Sequence, residues 1–209
     1  MVTYDLLDAK GNVVFVENGR KVLLDTGCPL PQYPEHMIDS NVYENVGHSI
    51  DEVRGFPRLC NNDILIDLPG KKLYMDSRPI AFEGTEVKFS LMGCYIRMKM
   101  TSNGKVHDFL FDTGAPHSYV EESWIPAEIL AAGPTRYIKD YNPMVGHFES
   151  PAYEVPVTFA GKTYVTELCL PPQPVRDGFK GVSGGVLGGA ILNHFKILID
   201  FRNQRLICQ

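Results

Sequence analysis

The sequence predicts an all-β protein with a few short helices, built from two related halves. Three observations carry that expectation. Glycines and prolines, 19 and 15 of 209 residues, are spread singly between short apolar runs, as in chains of many short strands joined by turns. Two Asn-Gly pairs, Asn18-Gly19 and Asn103-Gly104, stand between alternating apolar residues and mark hairpins. Finally, one block of sequence occurs twice.

The repeated block fixes the order of elements. Ile64-Leu65-Ile66-Asp67 recurs as Ile197-Leu198-Ile199-Asp200, 133 residues later. At the same offset Val53-Arg54-Gly55 falls on Val186-Leu187-Gly188, Leu59 on Leu192, and Lys72-Leu73 on Arg205-Leu206. Upstream of each copy an apolar strand ends in Asp-Thr-Gly: Val22-Leu23-Leu24-Asp25-Thr26-Gly27, and Phe109-Leu110-Phe111-Asp112-Thr113-Gly114. Each half therefore reads as hairpin, apolar strand, Asp-Thr-Gly, insert, apolar-x-Gly, short helix, strand, turn, strand. The stretch from Asp76 to Gly84, with Pro79, is the natural linker, which divides the chain into halves 1–78 and 79–209. A lone Asp-Thr-Gly would suit a plain turn, but two in matching contexts require a duplication.

Composition narrows the function. A chain that is 44% hydrophobic and 11% aromatic can bury a core, unlike a disordered segment. A formal net charge of −5 argues against a nucleic-acid partner or an anionic membrane surface. No run approaches the roughly 18 apolar residues of a spanning helix. The five cysteines and six histidines show no metal-ligand spacing, so no metal is expected. Acidic residues at the start, where a signal peptide carries basic and apolar ones, lead us to expect reduced thiols and a cytoplasmic setting. The glycine-rich run 181–189 lacks the Gly-Lys-Ser/Thr of a phosphate loop, and its Val-Leu-Gly already belongs to the repeat.

On Leu24-Asp25-Thr26-Gly27, Phe111-Asp112-Thr113-Gly114-Ala115, and Val186-Leu187-Gly188 with Leu192 and Ile197 to Asp200, the chain resembles the aspartic proteases of the retropepsin/pepsin superfamily. The resemblance spans nearly all of the second half and the edges of the first. It implies two pseudo-symmetric double-ψ β-barrel lobes, an active site on the pseudo-twofold axis, and a sheet shared between the lobes. It implies an endopeptidase with a polypeptide substrate, acting as a monomer, with Asp25 and Asp112 as its catalytic pair. It also implies that the hydroxyls of Thr26 and Thr113 bond across the axis to the opposite loop.

The chemistry follows from the residue types. Two adjacent carboxyl groups cannot both ionise readily, so one stays protonated while the other is an anion. The anion can take a proton from a water while the acid polarises a peptide carbonyl. Neither a metal nor an organic cofactor is called for. Gly27 and Gly114 are expected to leave room around the pair. Gly55 and Gly188 are expected to let the following helix pack against each active loop. Asp67 and Asp200, at strand ends before turns, read as structural.

The halves are unequal. From Asp to the matching Gly there are 30 residues in the first half and 76 in the second. The longer insert reads as two hairpins: 137–147, with its tip near Asn142-Pro143 and Gly146, then 154–170, turning at Gly161-Lys162. The first of these sits where a retropepsin flap would be, so the resemblance implies a flap over the site, with Tyr141, Met144, Val145 and Gly146 as its substrate-facing candidates. The shorter insert is rich in Pro and polar residues and predicts no strand pair. Residues 124–133 read as a short helix starting near Pro126 and ending at Gly133. Cys28 and Ala115 follow the two Asp-Thr-Gly turns where a serine would donate to the carboxylate, so a mildly acidic to neutral optimum is expected. Arg54 stands at an apolar position of the repeat. Two rival readings remain open: a peptide-binding protein that keeps this fold without its chemistry, and a homodimer that uses Asp112 alone.

Overall fold

The structure is a computed structural model that describes residues 1–179 and 184–209; residues 181–183 of the glycine-rich run lie outside them. The first half carries β1 (Val2–Asp5), β2 (Val14–Glu17), β3 (Arg20–Asp25), α1 (Ser40–Val46), β4 (Glu52–Gly55), α2 (Phe56–Leu59), β5 (Asp63–Asp67) and β6 (Lys72–Asp76). The second carries β7 (Thr85–Lys88), β8 (Ser90–Met92), β9 (Tyr95–Ser102), β10 (Lys105–Phe111), β11 (Ser118–Val120) and α3 (Ala127–Ala132). It continues with β12 (Arg136–Asn142), β13 (Gly146–Phe159), β14 (Lys162–Cys169), α4 (Gln173–Asp177), β15 (Gly185–Leu187), β16 (Ile197–Asp200) and β17 (Arg205–Cys208). The protein is mostly β, as expected.

Both Asn-Gly turns form. Asn18 and Gly19 have φ of 51° and 78°, and Asn103 and Gly104 have 48° and 67°. This is the doubly left-handed turn whose twist matches a two-residue hairpin. In each half the strand before Asp-Thr-Gly then pairs parallel with the apolar-x-Gly strand. Leu24 lies opposite Arg54 in β3–β4, and Phe111 lies opposite Leu187 in β10–β15, at equivalent positions of the repeat.

The halves meet in a six-stranded sheet ordered β1-β6-β5-β16-β17-β7. At its centre β5 and β16 run antiparallel, with Leu65 opposite Leu198, its own repeat partner. One hydrophobic cluster continues through both halves, from Phe15, Leu24, Ile64 and Ile66 to Phe109, Phe111, Ile197 and Ile199. The boundary near residue 78 therefore separates two copies in sequence without separating two cores.

Away from that centre the halves differ. In the second, the sheet β12-β13-β14-β11-β15-β10-β9-β8 curls round until the long β13 also pairs with β9, through Val157–Ser102 and Thr158–Thr101. In the first, the β2-β3-β4 sheet has three strands, and residues 26–51 supply α1 in place of a strand pair. Helix α1 is a local consequence of its caps. Asp39 accepts the N–H groups of Asn41 and Val42, and Gly47, at φ 83°, ends the helix in the left-handed region. Its Val42 and Val46 bury against Val14, Leu23, Ile50 and Val53. The helix from Pro126 to Gly133 forms as α3, and Trp124 before it is fully buried.

Arg54 departs from its repeat partner Leu187 without leaving the interior. It is buried, bonds Glu17 at 2.6 Å and Glu52 at 2.7 Å, and lies 5.3 Å from the Phe15 ring centroid. Arg58 joins through Glu52 at 2.8 Å. A paired charge network thus replaces aliphatic packing at this point of the first half. Asp67 and Asp200 hold turns: Asp67 accepts the Gly70 N–H, and Asp200 accepts the Asn203 N–H and the Arg205 guanidinium.

Candidate active site

Asp25 ends β3 and Asp112 follows β10, each behind a buried apolar strand. The shared sheet and core join the halves so that the two strand ends meet, and the two carboxyl groups come within hydrogen-bonding reach of one another. Asp25 accepts the Gly27 N–H and Asp112 the Gly114 N–H, both at 2.9 Å, which fixes each carboxyl plane against its own loop.

The support is reciprocal. Thr26 donates its hydroxyl to the Phe111 carbonyl at 2.9 Å, and Thr113 donates its own to the Leu24 carbonyl at 2.7 Å. Each hydroxyl oxygen also accepts the other threonine's backbone N–H, at 3.0 and 3.1 Å. Both threonines are fully buried. Four bonds therefore lock the two loops together where no water competes.

The glycines do more than make turns. A Cβ built on Gly27 would overlap the Asp112 carboxyl, and one on Gly114 would overlap that of Asp25. Each glycine thus roofs the opposite aspartate. Gly55 and Gly188 press on the active loops themselves: a side chain there would strike the carbonyls of Leu30 and Cys28, or of His117 and Ala115. The next residues then donate backward, Phe56 N–H to the Cys28 carbonyl and Gly189 N–H to that of Ala115.

Burial, then the charge and hydrogen bond of Asp112, hold Asp25 well above the ordinary carboxylate range. Burial raises Asp112 as well, while the Gly114 N–H and the bond from Asp25 favour its anion. The pair accordingly keeps one shared proton at pH values where an exposed carboxyl has lost its own. The Cys28 thiol turns away, donating to the Leu30 carbonyl at 3.4 Å. Burial and the Asp25 charge push it up to about 12, so it stays a thiol.

The pair lies in the wall of a cavity of about 340 Å³. The first half contributes Asp25, Gly27 and Tyr33, and the second almost everything else, including Leu110, Tyr119, Phe148, Phe179 and Val186. The 136–147 hairpin reaches this cavity, but with a different set of residues from the one expected. Tyr141, Asn142 and Pro143 line it. Met144 is 86% exposed, Val145 is also exposed, and Gly146 makes the turn at φ 89°. The Asn142 side chain accepts the Met144 N–H, and this local turn directs the tip into solvent.

Of the flap candidates Tyr141, Met144, Val145 and Gly146, then, Tyr141 alone faces the cavity. Sequence reasoning passed over Tyr33, Tyr119 and Asp140, which also line it. Tyr33 and Asp140 lie in segments whose neighbours carry no repeated pattern, so nothing local marks them.

Among the described residues one group could hold a metal: His117, Glu167 and Cys169, with ligand atoms within 4.8 Å of one another. Its carboxylate is already engaged by Arg136, at 2.7 and 2.8 Å, and Cys169 is completely buried. His48 binds the Asp8 carbonyl. Among the described residues no helix is long and apolar enough to cross a membrane.

No match appears. Neither protein-family profiles nor curated protein sequences show one for this chain. The geometry of the site alone bears on its function.

Proposed function

We propose that the chain is a single-chain aspartic endopeptidase with two double-ψ-type lobes, hydrolysing polypeptides with Asp25 and Asp112. One observation carries the reading: two carboxyl groups, Asp25 buried and Asp112 half-buried, set against each other and each roofed by the glycine of the opposite Asp-Thr-Gly loop. Structural aspartates are normally paired with cations or turn amides, as Asp67 and Asp200 are. Holding two acids together at a cavity wall is costly, and such an arrangement is characteristic of a catalytic site.

In the proposed reaction the Asp112 carboxylate accepts a proton from a water bound between the acids. The oxygen of that water attacks the peptide carbonyl, while Asp25 donates its proton to the carbonyl oxygen. Collapse breaks the C–N bond as Asp112 gives its proton to the leaving amine and a hydroxyl of the tetrahedral intermediate gives one to Asp25, which leaves the pair with its single proton. The glycine N–H groups and the threonine lattice keep both carboxyl groups in place throughout, so little reorganisation accompanies the step. The flap strand covers the substrate, and the apolar cavity wall dries the site.

Both acids belong to one chain, which supports a monomeric catalyst over one that pairs Asp112 across a dimer. The test is digestion of a mixed peptide pool. Cleavage by the wild type, blocked by a statine-type inhibitor and lost by about a thousandfold or more in Asp25→Asn and in Asp112→Asn separately, is the expected result. Peptide binding without cleavage would favour the fold without its chemistry. Cleavage that survives either substitution would remove the pair from the mechanism.

A further inference from the structure

Strand β12, the first strand of the flap, pairs with β13 and forms the outer edge of its sheet. An edge strand held from one side tends to fray. Near its end this strand is tied down by an acid. Asp140 is buried, its carboxyl group accepts the hydroxyl of Tyr119, and its other oxygen accepts the Tyr141 N–H at 2.7 Å. Tyr119 belongs to β11, which is paired on both sides: with Val186 of β15 and with Cys169 of β14. The bond therefore couples the edge strand to the rigid interior of the sheet. Tyr119, Asp140 and Tyr141 all line the cavity that holds Asp25 and Asp112.

A third carboxyl group in the cleft invites a direct chemical role, yet both of its oxygens are engaged by the protein. We propose that Asp140 is a positioning residue that acts through Tyr119: it sets the height of the flap over the Asp25–Asp112 pair and thereby substrate affinity. This rests on the endopeptidase reading. Tyr141, whose N–H is fixed by this carboxyl, packs on the apolar cluster of α1 and β4, so the flap reaches the first half from the point that Asp140 holds. Loss of the anchor frees the segment that closes the cleft while leaving the pair and the threonine lattice untouched.

The variant Tyr119→Phe removes the hydroxyl and keeps the ring, which packs edge-on against Phe148 at 5.7 Å. Amide hydrogen exchange and steady-state kinetics on one cleaved peptide then decide the question. Expected are exchange of the Tyr141 amide and of the 140–147 segment faster by about tenfold, and KM raised about fivefold or more with kcat within about twofold. Asp140→Asn should behave alike, and the double variant should be no worse than Asp140→Asn alone, because the two residues act as one unit. Unchanged flap exchange, an unchanged KM, or effects that add in the double variant would each overturn the proposal. A wild type that cuts no peptide would sink the endopeptidase reading, and the exchange measurement by itself would then decide the anchor.

Discussion

Gly27 sits directly over the carboxyl group of Asp112, so closely that a single methyl group on its Cα would occupy the acid's place. Gly114 stands in the same relation to Asp25. Either Gly→Ala change must push the opposite aspartate aside. Displacements near 1 Å cost about a hundredfold in rate. Gly27→Ala and Gly114→Ala are therefore expected to keep native circular dichroism while losing peptide cleavage by about that factor or more. A folded variant with wild-type turnover would contradict this.

The threonine lattice governs stability as well as alignment. In Thr26→Val the shape is nearly kept, but the Phe111 carbonyl and the Thr113 N–H lose their buried partner. Each unsatisfied group costs about 1–3 kcal/mol, so a loss of about 2–6 kcal/mol is expected from urea unfolding. Thr113→Val should match it through the Leu24 carbonyl and the Thr26 N–H. A loss below about 1 kcal/mol in both would show that these bonds do not join the halves.

The acids should leave a signature in the pH dependence of folding. Both are raised relative to the unfolded chain, whose aspartates titrate near about 3.9. The folded state thus binds the proton more tightly, and their favourable contribution is complete below about pH 4 and lost as pH rises through the folded values. Glu17 and Asp200 are lowered and work in the opposite sense, so the comparison must be between Asp25→Asn and wild type. The variant should gain stability relative to wild type as pH rises above about 4. A difference independent of pH up to neutrality would count against a shared proton. With no donation from Cys28 or Ala115 side chains, cleavage should peak from mildly acidic to neutral pH. A maximum far into the acid range would contradict that.

Arg54 is a sensitive point of the first half. Arg54→Leu restores the residue type of its repeat partner Leu187 but takes the Arg54 guanidinium from buried Glu52, which keeps only the more exposed Arg58 and the more distant Arg20. Removing one partner of a buried ion pair costs about 3–5 kcal/mol. The double change Arg54→Leu with Glu52→Gln should recover a measurable part of that in thermal or urea unfolding. No recovery would mean that the cation–ring contact with Phe15, and not the ion pair, holds the residue.

The hairpin proposed as the flap touches the first half directly: His147 Nε2 lies 2.9 Å from the Asn41 side-chain oxygen on α1. Joining Asn41→Cys and His147→Cys with a short reducible cross-linker should hold the cleft closed. Peptide turnover should fall by about tenfold or more and return on reduction. Unchanged turnover in the cross-linked protein would show that substrate enters without the flap leaving α1.

These contacts separate two kinds of information. Turn chemistry and periodicity are written in consecutive residues, so the Asn-Gly hairpins, the strands of the repeated block, α3 and the second-half hairpins were legible, while β1, β7, β8 and β11 were not read. Helix α1 was marked as well, by Asp39 and Gly47, but its polar, proline-rich surroundings hid it. The tip of the flap was misread because the Asn142 turn tilts Met144 and Val145 outward, and strand alternation does not continue through a turn.

The aspartate pair is the exception among distant contacts. Duplication placed Asp25 and Asp112 in equivalent strands, and a two-fold arrangement brings equivalent residues face to face, as it does Leu65 and Leu198. Repetition let the sequence by itself determine the β architecture, the two Asp-Thr-Gly loops and their partnership. Tertiary structure alone decided that Asp140 meets Tyr119, that α1 receives the flap, and that the second half builds most of the cavity. Those meetings join residues with no shared local pattern, and only the packing of sheet edges and loops in three dimensions selects them.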